Sequence, residues 1–97
     1  MTLKEFKESL SQRAPSPGMS EYLKALWHDA KGDWEKAHTI IQDIEDKTAA
    51  WIHAYLHRKE DDISNADYWY NRAGRKRASL TLQEEWESIV KEFTGED

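Results

Sequence analysis

One short pattern occurs twice, 29 residues apart, and it narrows the possible folds more than any other feature of the chain. Ala25, His28, Asp33, Trp34, Ala37, Ile41 and Ile44 fall on Ala54, His57, Asp62, Ile63, Ala66, Tyr70 and Ala73. A fixed period on this scale marks a repeated supersecondary unit. Each copy has an Ala in a first apolar-periodic segment and another early in a second. Small residues at these positions let two antiparallel helices approach closely, and larger residues beyond them fill the widening gap. The Asp ahead of each second segment suits an N-cap. Each copy is therefore expected to form a helical hairpin with a turn of one or two residues, over 19–46 and 48–74.

The flanking sequence agrees with an all-α fold. Two stretches forbid helix continuation: Ala14-Pro15-Ser16-Pro17-Gly18, and Gly74 with the basic loop that follows it. Thr2 with Glu5 has capping-box spacing, which predicts a first helix over about 3–11. The hairpin helices are expected at 21–31, from 34, at 48–60 and at 63–73. Thr81 with Glu84 opens a sixth helix, over 82–94, whose stripe is Leu82, Trp86, Ile89 and Phe93. The helix from Thr48 is apolar over most of its circumference, which predicts a central position. Gly95-Glu96-Asp97 is expected to fray. Leu, Ile, Val and Phe are few, and the five Trp and four Tyr must supply much of the core. The whole chain, 1–97, reads as one helical domain: two stacked hairpins, an N-terminal helix and a C-terminal capping helix.

The two copies resemble the tetratricopeptide repeat and its Sel-type relatives over about residues 19–74. The residues that carry this are Ala25-x2-His28-x3-Gly32-Asp33-Trp34-x2-Ala37 and Ala54-x2-His57-x3-Asp61-Asp62-Ile63-x2-Ala66, with Trp69-Tyr70-Asn71-Arg72-Ala73 similar to the end of a Sel-type repeat. The Gly32-Asp33-Trp34-x2-Ala37-His38 segment also resembles one found in small uncharacterised bacterial proteins. The repeat resemblance implies that the first helix of each hairpin lines a concave face. On that mapping Tyr22, Leu26, Asp29, Trp51, Tyr55, Arg58 and Lys59 share one groove; the alternative is that Trp51 and Tyr55 are buried under the first or the sixth helix. Aromatic and Arg side chains are typical interface anchors, so the implied role is a protein-interaction or scaffold module for a protein or peptide.

Two further groups of residues carry chemistry. Tyr68, Trp69 and Tyr70 are consecutive, so on a helix they point three ways and one is expected at the surface. With Trp69, Arg72, Arg75, Lys76 and Arg77 this corner forms a second aromatic and basic patch. His53 and His57 are four apart, which places both imidazoles on one side of a helix and suits a divalent metal ion. His28, at the matching place in the preceding copy, becomes a third ligand if the hairpins stack, with Glu60 and Asp61 in reach. The alternative function is therefore a metal-binding protein or metal-dependent enzyme.

Other classes are excluded. Net charge is -5, against general nucleic-acid binding. The chain has no cysteine, hence no thiolate site. It also has no apolar run long enough for a membrane span and no apolar leader core at its start, so a cytoplasmic location is expected. No nucleophile-elbow or Gly-rich phosphate motif supports catalysis, and no cofactor is implied. Glu84-Glu85 reads as part of a solvated face, and self-association as a homodimer is expected if the sixth helix leaves the hairpins uncapped.

Overall fold

A computed structural model describes residues 1–95, which form six helices in chain order. They are α1 (Leu3–Ser9), α2 (Glu21–Ala30), α3 (Trp34–Gln42), α4 (Lys47–Lys59), α5 (Ile63–Arg72) and α6 (Leu82–Lys91). Among the described residues there is no strand beyond an isolated bridge between Thr2 and Gly95, so the fold is all-α. No described helix is long and apolar enough to cross a membrane.

The helix starts follow local chemistry. Thr2 and Thr81 each form the reciprocal capping box with Glu5 and Glu84, and Ser20 and Asp33 accept from the backbone of Leu23 and Lys36. Asp46 caps α4 through the Ala49 N–H at 2.7 Å, which starts that helix at Lys47, one residue ahead of the expected position. Asp62 precedes α5 but makes no capping bond with its side chain, unlike its counterpart Asp33.

The helix ends repeat as the sequence pattern does. At the end of α2, Gly32 and Asp33 donate backbone N–H groups to the Asp29 and His28 carbonyls. At the end of α4, 29 residues on, Asp61 and Asp62 donate to Arg58 and His57. Gly74 and Arg75 make the same pair of bonds to Asn71 and Tyr70 after α5. These are Schellman caps, which need a left-handed residue just past the helix. Gly32 (φ 86°) and Gly74 (φ 73°) adopt that conformation freely, whereas Asp61 is forced into it at φ 64°.

α2 packs on α3, α4 on α5, and α3 on α4. Ala25, Ala37, Ala54 and Ala66 are all fully buried, and an unbroken run from Ala49 to His57 on α4 is buried. α4 is therefore central, as its all-round apolarity requires.

α6 lies against α1, α2 and α4. The buried Trp86 indole N–H donates to the Leu26 carbonyl at 3.1 Å, and the Trp86 ring packs 5.7 Å from Phe6. Glu85 corrects the reading of a solvated face, since it is 1% exposed. Its carboxylate accepts from Trp51 Nε1 (3.1 Å), Arg58 (2.7 Å) and the Tyr70 hydroxyl (2.6 Å). α6 ends at Lys91, short of the expected 94, because Glu92 and Phe93 bond three residues back in a tighter turn. α1 likewise ends at Ser9 instead of 11. Gly95 is paired: its N–H donates to the Met1 carbonyl at 2.8 Å. Glu96 and Asp97, also expected to fray, lie outside the described residues.

Candidate metal centre

α3 and α4 bring three imidazoles together. His53 and His57 are one turn apart on α4, and His38 comes from α3. The ring centroids form a near-equilateral triangle: 4.8 Å for His38 to His53, 4.8 Å for His53 to His57 and 5.2 Å for His38 to His57. His38 Nε2 and His53 Nε2 share a hydrogen bond at 3.1 Å, one ring donating and the other accepting. Each ring offers one nitrogen to a set lying within 4.8 Å of one another.

The rings are held from outside. The Trp34 indole stacks on His38 at 4.9 Å, and Trp69 stacks on His53 at 3.9 Å. Trp34 is itself anchored, because its N–H donates to the Leu56 carbonyl at 2.7 Å. Glu60 Oε1 lies 2.6 Å from His57 Nδ1. A carboxylate can only accept, so Nδ1 donates and Nε2 faces the other way. Asn65, in the first turn of α5, places Nδ2 3.4 Å from that Nε2 and 3.4 Å from Asp62 Oδ2. Burial, reinforced by the neighbouring His38 and His57, pushes His53 down to about 4, so it is neutral near pH 7. Burial also lowers His38. Neutral imidazole is the ligating form.

The third imidazole is thus His38 and not His28. His28 instead packs edge-on against Trp27 and has no place in the triangle. The carboxylate that joins His57 and Glu60 is Asp62 and not Asp61, since Asp61 occupies the exposed left-handed turn. His38 was legible as a residue four beyond Trp34 on one helix face. Its distance to His53 depends on how α3 packs against α4.

The groove residues have other tasks. Leu26, Asp29, Trp51 and Tyr55 are at most 7% exposed, and α6 lies where a partner was expected. Trp51 and Arg58 hold Glu85, and Arg58 also donates to the Leu80 carbonyl. The Tyr55 hydroxyl donates to Asp29 at 2.9 Å, and Lys59 pairs with the other Asp29 oxygen at 2.9 Å. Tyr22 stacks on Phe93 at 5.0 Å and donates to Asp46. What remains open is a cleft of about 400 Å³ whose lining includes Lys7, Asp29, Tyr55, Lys59 and Trp86.

The second patch divides. Tyr68 is 53% exposed, with Arg72 over its ring and over Trp69. Trp69 turns one face to His53, as described above. Arg75 lies 3.4 Å over the Trp51 ring centroid, Arg77 pairs with Asp67 at 3.4 Å, and Lys76 is exposed. Comparison with protein-family models, curated proteins and solved structures returned no match.

Proposed function

We propose that the protein binds a divalent transition-metal ion through His38, His53 and His57. One observation carries this reading: three imidazoles from two helices converge, with His38 Nε2 and His53 Nε2 3.1 Å apart. Two imidazoles on one tetrahedral zinc ion, with bonds of about 2.0–2.1 Å, stand about 3.3 Å apart, so that pair is at ligand spacing once the ion replaces the proton the two rings share. Bringing the third nitrogen in from within 4.8 Å takes a shift on the order of 1–1.5 Å.

The surroundings support the same reading. Glu60 on His57 Nδ1 is the carboxylate–histidine arrangement that fixes tautomer and ring orientation. The two indoles restrict His38 and His53 before any ion arrives, which lowers the entropy lost on binding. An all-imidazole donor set suits zinc, copper or nickel better than magnesium or calcium. The groove and scaffold reading has weaker support, because four of its seven residues are internal.

The test is metal content and binding of the protein made without a histidine tag. Zinc titration by calorimetry is expected to give one equivalent per chain, with a rise in melting temperature. His53→Ala with His57→Ala is expected to abolish it. A wild-type protein that binds no stoichiometric zinc, nickel or copper refutes the proposal.

A further inference from the structure

We infer that the bound ion keeps an exchangeable fourth position beside Asn65, which takes hydroxide or another small monoanion. This rests on the metal reading above and adds what the ion is for: a site with an open position does chemistry, whereas a structural site is closed by protein ligands.

The donor count comes first. Among the described residues, no fourth His, Asp or Glu shares one set with His38, His53 and His57, and Asp62 lies in a separate set with His57 and Glu60. Glu60 is the nearest carboxylate to His57, but it holds Nδ1, and the two ring nitrogens point in diverging directions. It therefore orients the ring and does not reach an ion on Nε2. Three protein ligands leave a tetrahedral ion one position short.

Asn65 marks where that position lies. Its amide nitrogen is within hydrogen-bond reach of His57 Nε2 and of Asp62 Oδ2, both at 3.4 Å, so an ion that takes the Nε2 lone pair displaces it from that contact and leaves it next to the ion. Bonds of that length are at the weak limit, so the amide is easily recruited. An N–H group cannot ligate a cation, but it donates to an oxygen or anion sitting on one. Asp62 is free to steady the amide because it makes no capping bond to α5. The edge is accessible as well: His38, Asp62 and Asn65 are half-buried and Glu60 is exposed, while Trp34 and Trp69 cover ring faces. A divalent ion held by these imidazoles would acidify a bound water, and the Asn65 N–H would donate to the hydroxide so formed.

The experiment uses the full-length protein loaded with cobalt(II), whose visible bands report coordination, titrated with azide. Wild type is expected to bind one cobalt and to show a saturable change in its bands. Asn65→Ala is expected to weaken azide by about tenfold, the loss of one hydrogen bond to a charged acceptor, while cobalt affinity stays within about twofold. Asn65→Asp, which puts a negative group beside the anion, is expected to weaken azide further. Thermal melting of both variants establishes that they fold. A cobalt protein whose spectrum azide does not move refutes the open position and leaves the metal reading standing. Failure to bind cobalt removes both. Unchanged azide affinity in Asn65→Ala and Asn65→Asp refutes the placement beside Asn65.

Discussion

Glu85→Ala is the substitution that most directly tests how α6 is held. The carboxylate is 1% exposed and is met by an indole N–H, a guanidinium and a phenol, from α4 and α5. Removing it leaves the Arg58 guanidinium, whose side chain is only 18% exposed, without its main partner. Breaking one side of a buried pair costs about 3–5 kcal/mol, because the remaining charge stays desolvated. For a domain of this length about 1 kcal/mol moves the melting temperature by about 4–8 °C, so a fall of at least about 12 °C is expected. Glu87→Ala is the control. Glu87 sits two residues along and pairs with Lys7 at the surface at 3.0 Å, where ion pairs contribute at most about 1 kcal/mol. Urea denaturation of wild type and both variants, with the slope checked for two-state behaviour, reads the difference. If Glu85→Ala loses no more than Glu87→Ala, the argument that this carboxylate ties α6 to α4 and α5 is wrong.

Two further outcomes concern the buried phenols and the turn after α4. Burial and bonding to carboxylates raise the phenol pKa of Tyr55 and Tyr70 above the ordinary value of 10, burial being the larger cause for both. A raised folded-state pKa contributes stability that is complete below pH 10 and is lost as pH climbs beyond it. The urea midpoint is therefore expected to hold to about pH 9.5 and fall steeply above 10, less steeply in Tyr55→Phe. A midpoint that is flat to pH 11.5 contradicts the burial of both hydroxyls. Asp61→Gly is expected to raise stability by up to about 1 kcal/mol, because glycine enters the left-handed turn at φ 64° without strain. A destabilised variant in thermal melting shows that the Asp61 side chain contributes more than the backbone strain removes.

What could be read in advance was local. Ser20 and Thr81 announce helix starts because a side-chain oxygen reaches a backbone N–H three residues on. Gly32 and Gly74 announce helix ends because a Schellman cap spans six residues and needs one left-handed position. Asp61 fills that same position without being a glycine, so the repeat pattern and not the residue type locates the turn. The early ends of α1 and α6 and the missing Asp62 cap are local departures, and the larger ones are long-range. Glu85 looks like its neighbour Glu84 in sequence, yet one caps a helix at the surface and the other is enclosed by Trp51, 34 residues away, and Tyr70.

The candidate site divides along the same line. His53 and His57 share a helix face because 3.6 residues make a turn, and their spacing alone is enough to pair them. His38 joins them only through the packing of α3 on α4, and Asn65 and Trp69 only through that of α5 on α4. Helical periodicity determines which residues share a face. It does not determine which other face that one meets. That choice belongs to the summed burial of apolar area over all six helices, so the triangle of imidazoles and the seat of α6 were decided by tertiary packing.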